Sequence, residues 1–260
     1  MTSQLGENSI PALELINLSK FYFQRTGFFL KKTVVKALSN LSLAIMPGEI
    51  YAFLGLNGAG KTTALKTAMG LTKPDSGEIK LFGQLITNSA VYSKIGFSPE
   101  NPNFSDYLTV EEILDFCCLM SGSEIPKTMK QTALEKLGIE TERKKWVREL
   151  SQGMKKRLSL TTAIIHDPDL LIFDEPGNGL DPYARNLVKQ MLQDLKSRGK
   201  TVFFTTHILA DVTEICDRIG IIQKGKLIFE GTRREFNPQG IDPEKRFIDL
   251  TKTATQNLHA

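Results

Sequence analysis

The stretch that decides the fold is residues 55–62, which read Gly55-Leu56-Asn57-Gly58-Ala59-Gly60-Lys61-Thr62. It matches Gly-x-x-x-x-Gly-Lys-Ser/Thr between a short apolar run at 50–54 and a helical pattern at 62–69. Glycines let such a loop curl so that successive backbone N–H groups point inward at phosphate oxygens. The start of the following helix adds positive potential. In this pattern Lys61 reaches the β- and γ-phosphates and the Thr62 hydroxyl is a ligand for Mg²⁺. The sequence therefore predicts a strand, a phosphate-binding loop (55–62, the phosphate loop) and a helix.

A second anchor is the apolar run 170–173, which Asp174 and Glu175 follow directly. The run predicts a buried strand, and a carboxylate at its end needs a partner or a metal ion because burial removes its water. Ligands of open α/β sheets bind beyond the carboxyl ends of the strands. We therefore expect Asp174 to hold Mg²⁺ and Glu175 to orient or deprotonate an attacking water.

The rest of the chain alternates predicted strands and helices around one helical block at about 97–160, which favours a parallel α/β core with a helical subdomain. Capping patterns predict helix starts at Thr109, Ser151 and Asp181. The apolar face of the helix after Thr109 is predicted to carry Ile113, Phe116, Cys117 and Met120. Strands are predicted at 12–23, 34–45, 50–54, 78–82 and 201–206, a hairpin at 218–230, and a short helix after Asp242.

Composition limits the class of protein. The 260 residues are 41% apolar and 24% charged, which is typical of a globular chain and excludes wholesale disorder. The net charge of +4 is too small to indicate nucleic-acid binding. No apolar run approaches the roughly 18–20 residues that span a bilayer, and the N-terminus lacks a secretion signal. The three cysteines cannot all pair, the adjacent Cys117 and Cys118 are predicted to be buried thiols, and no metal-ligand spacing is present.

Together these motifs resemble the ATP-binding subunits of ABC transporters, over about residues 12–232. Residues 150–154 (LSQGM, the signature segment) are similar to the family signature, in which a helix N-terminus faces the γ-phosphate of ATP held by the partner subunit. Ser151 as a helix cap and the bare backbone of Gly153 suit that role. The resemblance implies an α/β fold: a P-loop NTPase core of the ABC ATPase type with an antiparallel β portion and an inserted helical subdomain.

The resemblance also implies roles for residues that spacing alone does not assign. His207 matches the switch histidine that contacts the γ-phosphate, and Asp181 matches the loop that links the two nucleotide sites of a dimer. The implied catalytic residues are Glu175 and His207, and the implied metal ligands are Thr62, Glu100 and Asp174. The implied nucleotide-binding residues are Tyr22 (stacking on adenine), Gly55, Leu56, Asn57, Gly58, Ala59, Gly60, Lys61, Thr62, Thr63, Ser151, Gln152, Gly153 and Asp181.

Some positions depart from the family pattern. Glu100 stands where Gln is usual, and either side chain offers an oxygen to a metal. Gln152 and Met154 replace the usual Gly and Gln of the signature segment, in which Ser151 and backbone donors make the contacts. Residues 177–178 (Gly-Asn) replace the more usual Thr-Asn, and the sequence does not explain this change.

The function implied by the resemblance is an ATP hydrolase that uses ATP and Mg²⁺. Two copies, a homodimer rather than a heterodimer, would enclose two ATPs and drive a separate membrane-spanning permease from the cytoplasmic face of the cell membrane; no nucleic acid is implied. Residues 243–251 resemble the end of exporter subunits, which favours export. A soluble ABC-type ATPase of a cluster-assembly or other non-transport complex is the alternative. The implied limits are a lead at 1–11, the ATPase domain at 12–232 and a tail at 233–260.

One segment is longer than the family pattern: residues 25–32 (RTGFFLKK), predicted as a hairpin tip. Its apolar residues Phe28, Phe29 and Leu30 are flanked by basic ones. Two interpretations stay open. The hairpin packs on its own sheet, or its tip touches a partner or the membrane surface with the basic flanks near lipid headgroups.

Overall fold

The computed structural model describes residues 9–26, 31–86, 89–122, 124–238 and 240–257. The strands are β1 (Leu13–Thr26), β2 (Lys31–Ile45), β3 (Ile50–Leu54), β4 (Ser76–Leu81), β5 (Gln84–Leu85), β6 (Ile95–Ser98), β7 (Leu170–Phe173), β8 (Thr201–Thr206), β9 (Arg218–Gln223) and β10 (Lys226–Thr232). The helices are α1 (Lys61–Ala68), α2 (Val110–Ser121), α3 (Lys127–Lys136), α4 (Gln152–Ile164), α5 (Pro182–Ser197), α6 (Leu209–Ile215), α7 (Arg233–Phe236) and α8 (Pro243–Asn257). They belong to two compact units, one of Met1–Asn88 with His207–Ala260 and one of Ser89–Thr206.

The first unit contains an antiparallel sheet with the strand order β2-β1-β4-β5. Along β1 and β2 the inward residues Leu13, Leu15, Leu43 and Ile45 are buried, as expected for a half-buried sheet. In the same unit β3 pairs in parallel with β9, which pairs antiparallel with β10. Every residue of β3 is buried, so packing holds the end of this strand in place where the phosphate loop begins.

The second unit contains three parallel strands in the order β8-β7-β6. All residues of β7 and β8 are buried, which is why these runs read as continuous apolar or small residues. Helices α2, α3 and α4 enclose a separate apolar cluster whose buried members are Val110, Ile113, Leu114, Leu134, Ile139, Val147, Leu150 and Leu158. The α/β fold with antiparallel and parallel β portions and a helical part is confirmed.

Two expectations about local structure need correction. Residues from 97 onward are expected to be helical, but β6 extends to Ser98 because it pairs in parallel with β7. The apolar face of α2 is correct for Ile113 and Cys117, which pack in the helical cluster, but Phe116 and Met120 are 56% and 71% exposed. Leu114 and Cys118 are buried in their place, and they pack on different neighbours.

The predicted hairpin tip at 25–32 lies partly outside the described residues. Its outer residues belong to β1 and β2, which pair antiparallel, and residues 27–30 are not described.

Other local expectations are confirmed. Thr109 and Glu112 form a reciprocal capping box at the start of α2. The helical pattern at 62–69 corresponds to α1, and Gly70, which follows it, has a left-handed backbone with φ 68°. The tail helix exists and is longer than expected. The prediction of a buried thiol is correct for Cys118, whereas Cys117 is only half-buried. Over the described ranges, the helices are too short or too polar to cross a membrane.

Candidate nucleotide-binding and catalytic site

The phosphate loop in the first unit has a left-handed backbone, which favours glycine, at two positions. Gly58 and Gly60 have φ values of 78° and 112°, in the left-handed region. A Cβ on Gly60 would lie 2.4 Å from the carbonyl oxygen of Ala37, and one on Gly55 would lie 2.7 Å from that of Ile222. The glycines therefore serve close packing as well as the curl of the loop.

Contacts within the first unit fix the loop at both sides. The Ala59 carbonyl accepts a hydrogen bond from the N–H of Gly225 at 2.8 Å, which ties the loop to the β9–β10 turn. Lys61 is 6% exposed, and its Nζ donates to the Gly55 carbonyl at 2.7 Å. Gly60 precedes α1 as its cap residue and has no side chain that could accept a hydrogen bond from the first turn of the helix. The first N–H groups of α1 therefore suit an anion such as a phosphate.

Tyr22 and His207, also in the first unit, are both exposed. Tyr22 lies on β1 opposite Val35, and the Lys20 ammonium lies 5.7 Å from the centre of its ring. A tyrosine that is 39% exposed has room for a base to stack on it. His207 follows β8 directly in the chain.

In the second unit one threonine holds both carboxylate residues that follow β7. The Thr205 hydroxyl donates to Oδ1 of Asp174 at 2.6 Å and accepts a hydrogen bond from the N–H of Glu175 at 2.9 Å. All three residues are almost completely buried. Thr205 thus fixes the side chain of one predicted functional residue and the backbone of the next.

Glu175 has an unusual backbone. Its φ of 49° lies in the left-handed region, which costs a non-glycine residue roughly 1–2 kcal/mol. Such backbone strain concentrates at functional sites, where surrounding contacts enforce it. The hydrogen bond from its N–H to Thr205 is one such contact.

Lys156 connects several of these segments from within α4. Its Nζ donates to the backbone carbonyls of Asp174, Pro99 and Glu100 at 2.8, 2.9 and 3.1 Å. Burial lowers the pKa of Lys156 to about 8, and the negative charges of Asp174, Glu100 and Glu175 act in the opposite direction. The ammonium therefore lies among the predicted acidic site residues of this unit and positions the ends of β6 and β7.

The remaining predicted residues of the second unit cap helices or lie beside Lys156. Ser151 accepts a hydrogen bond from the N–H of Met154 at 3.2 Å and starts α4, and Asp181 starts α5 in the same way through Ala184 at 2.8 Å. Ser151 and Gln152 are exposed. The Asn178 amide donates to Oε1 of Glu100 at 3.4 Å, so Asn178 touches a predicted metal ligand.

The structure thus brings Glu100, Asp174 and Glu175 together around Lys156 within the second unit, while the phosphate loop, Tyr22 and His207 belong to the first. No group of three or more His, Cys, Asp or Glu side chains suited to a metal occurs in the part of the chain that the structure describes. The residues expected to bind Mg²⁺ offer a hydroxyl and carboxylate oxygens, the donors that this hard cation prefers. Within the second unit, the Thr205 hydroxyl orients the Asp174 carboxylate, and the chemistry of this oxygen ligand fits Mg²⁺.

Sequence reasoning missed Lys156, Thr205 and Asn178. A basic residue at Lys156 was visible beside the signature segment, and Thr205 was visible at the end of a predicted strand. Nothing in their spacing, however, indicates their contacts, because each partner lies on another element.

Comparisons with known proteins agree with this geometry. A family model described as ABC transporter matches residues 38–178, more than half of the chain. An uncharacterized ABC transporter ATP-binding protein of Synechocystis is 40% identical over 86% of this chain and 63% of its own length. A Nod factor export ATP-binding protein I of Burkholderia lata is 40% identical over 75% of this chain and 65% of its own length. The chain thus spans just under two thirds of these two relatives.

Solved structures give the same class. The ATP-binding subunit of an ABC transporter has a TM-score of 0.78 and 28% identity, and the match covers 92% of this chain and 99% of that one. The cassette MJ0796, in a dimeric post-hydrolysis state bound to ADP and Pi, has a TM-score of 0.74 and 25% identity over 85% of this chain and 99% of that one. The fold and the phosphate loop thus define an ABC-type ATPase domain. The chain belongs to the family of ABC transporter ATP-binding proteins.

Proposed function

We propose that this chain is a subunit that binds and hydrolyses ATP and drives a separate membrane-spanning permease. The observation that carries the proposal is the phosphate loop, whose left-handed glycines, buried Lys61 and glycine cap at the start of α1 form a cradle for phosphates. Residues 12–232 would form the ATPase domain, between the lead and the tail.

The chemical roles follow from the side chains. Backbone N–H groups of the phosphate loop and the Lys61 ammonium would bind the phosphates, and Tyr22 would stack on the adenine. Thr62, Asp174 and Glu100 would hold Mg²⁺, which supplies charge neutralisation when bound with the nucleotide. Glu175 would accept a proton from the attacking water, and His207 would contact the γ-phosphate.

The signature segment supports dimerisation as part of the proposal. Ser151 and Gln152 are exposed at the start of α4, and Gly153 adds no side chain there. This helix N-terminus suits the γ-phosphate of an ATP bound to a second copy, with Asp181 linking the two sites. The dimeric state of the cassette MJ0796 supports a homodimer.

Export is the proposed direction. Nod factor export ATP-binding protein I is a relative at 40% identity, and the resemblance of residues 243–251 to the end of exporter subunits favours the same direction. With the permease as its partner, the chain would lie at the cytoplasmic face of the cell membrane, and ATP-driven closure of the dimer would bias the permease between conformations.

The test uses Glu175→Gln, with Glu244→Gln on exposed α8 as the matched control. We expect Glu175→Gln to bind ATP normally and to lose ATP hydrolysis by at least 100-fold, because the proton acceptor is missing. The tagged variant is then recovered with ATP from detergent-solubilised cells, and its partners are identified by mass spectrometry. A multi-spanning membrane protein is the expected partner. Recovery of soluble partners alone would refute the transport function and favour a non-transport complex.

A further inference from the structure

The outer parts of β1 and β2 form a two-stranded ribbon, residues 21–26 and 31–36. The pairing of β1 with β4 ends at Ser19, whereas its pairing with β2 continues to Thr26. At the base of the ribbon, Asp75 accepts a hydrogen bond from the N–H of Phe21 at 2.7 Å. A two-stranded ribbon is marginally stable in water by itself. Large apolar side chains that are exposed together on such a ribbon indicate an interaction site.

The strand register defines one face of the ribbon, the ribbon face. Phe21 pairs with Lys36 and Phe23 pairs with Val34, and directly opposed residues two apart lie on the same face. Phe23 is 71% exposed and Val34 is 51% exposed. Tyr22 pairs with Val35 on the opposite face. The ribbon face is therefore distinct from the residue proposed to stack on adenine.

Charge distinguishes this segment from the rest of the chain. Between residues 20 and 36 every charged residue is basic, namely Lys20, Arg25, Lys31, Lys32 and Lys36. The whole chain has a net charge of only +4, so this short segment alone contributes more positive charge than the chain carries overall.

Exposed apolar side chains beside lysine and arginine match the boundary between lipid headgroups and acyl chains. A nucleic-acid backbone would use the charge but leave Phe23 and Val34 in water. The buried centre of a protein interface is depleted in lysine. An anionic lipid surface binds the basic residues through its phosphates and the apolar side chains through its acyl chains.

We propose that the ribbon face binds an anionic lipid surface. Phe23 and Val34 enter the boundary between headgroups and acyl chains, and Lys36 lies against lipid phosphates. The inference rests on the proposed function in that it adds a lipid contact to a subunit already placed at the membrane. Its test needs lipid and the full chain alone, so the two proposals fail separately.

The experiment is flotation of the full chain with vesicles of phosphatidylcholine alone or mixed with phosphatidylglycerol, at low and high salt. We expect binding to the mixed vesicles that weakens with salt. The double variant Phe23→Ser/Val34→Ser should bind at least tenfold more weakly, because each side chain loses an apolar burial. Lys36→Glu should lose about fivefold or more, since one basic group near such a surface contributes about that factor.

Two matched controls lie outside the ribbon. Leu71→Ser removes an apolar side chain that is 63% exposed, and Lys252→Glu reverses an exposed charge on α8. Both should bind vesicles like the unmodified chain, and ATP binding by all variants confirms their folding. Absence of vesicle binding by the unmodified chain, or equal loss in variants and controls, overturns the proposal. If only co-purification with the permease depends on Phe23 and Val34, the face binds protein and the lipid proposal is wrong.

Discussion

The ammonium of Lys156 donates a hydrogen bond to the backbone carbonyl of Asp174, with Nζ and O 2.8 Å apart. Asp174 directly follows β7, and Lys156 lies on α4, the helix that Ser151 caps. The same ammonium also binds the carbonyls of Pro99 and Glu100. A single buried charge therefore joins the helix of the signature segment to the ends of two strands that carry predicted metal ligands.

Replacing Lys156 should disturb this junction. In Lys156→Met three carbonyls lose a charged donor, and we expect a loss of about 2–4 kcal/mol in the free energy of unfolding. We also expect at least a tenfold fall in kcat with KM for ATP changed less than threefold, because the phosphate loop makes none of these contacts. Denaturant unfolding and steady-state ATP hydrolysis measure the two effects.

Lys155→Met is the matched control for this substitution. Lys155 is the preceding residue on α4, and its Nζ pairs with the exposed Asp106 at 3.4 Å. Surface ion pairs contribute at most about 1 kcal/mol, so kcat should be unchanged and stability nearly so. Equal kcat losses in both variants would show that the Lys156 contacts have no special role.

Substitutions of Thr205 distinguish the effect of its side-chain volume on stability from the effect of its hydrogen bonds. Thr205→Val keeps the side-chain volume but leaves the buried Asp174 Oδ1 and the Glu175 N–H without this partner. An unsatisfied buried group costs roughly 1–3 kcal/mol, so we expect a loss of about 2–4 kcal/mol and a lower rate of ATP hydrolysis. Thr205→Ser retains the hydroxyl and should stay within about 1.5 kcal/mol of the unmodified chain. Comparable losses for Val and Ser would show that the hydroxyl of Thr205 has no special role in stability.

Gly60 tests the packing of the phosphate loop. Gly60→Ala places a Cβ 2.4 Å from the Ala37 carbonyl oxygen, whereas Gly199→Ala meets nothing within 4 Å at a similarly left-handed φ. Both variants suffer the backbone strain of about 1–2 kcal/mol, and only the first must displace a neighbouring strand. We expect Gly60→Ala to unfold at lower denaturant concentration than Gly199→Ala and to lose ATP binding. Equal midpoints and intact ATP affinity would contradict the observed close approach.

His166 predicts a pH dependence of stability. Burial lowers the pKa of this imidazole, and its Nε2 lies 3.2 Å from the Ile95 carbonyl oxygen. The folded state therefore binds this proton less readily than the unfolded state does. Stability is lost as pH falls from above about 6.5, the usual pKa of an unfolded histidine, through the lower folded pKa.

The variant His166→Phe should lose this part of the pH dependence. For one proton the slope of the unfolding free energy cannot exceed about 1.4 kcal/mol per pH unit, which bounds the difference between the two proteins. Urea titrations at intervals between pH 5.5 and 8 measure it. Parallel stability curves for the variant and the unmodified chain would show that His166 does not titrate with unfolding.

Local signals in the sequence located most elements correctly. The phosphate loop, the capping box at Thr109 and the Asp181 cap involve groups only a few residues apart, so the chain itself shows both partners. The face of α2 was placed wrongly because Phe116, Cys117 and Cys118 are all apolar, and only contact with neighbouring helices selects among them. Strand β6 was missed because its partner β7 lies far along the chain.

By itself the sequence determined the nucleotide motifs, their order and hence the family, because each motif is a run of adjacent residues whose chemistry can be read directly. Only the tertiary structure decided how the acidic residues of the second unit are held. Lys156 and Pro99 are 57 residues apart, and Thr205 and Asp174 are 31 apart. A buried ammonium or hydroxyl must find its partners wherever the fold presents them, since water is absent there. Those partners are fixed by the packing of strands and helices, and no local pattern encodes them.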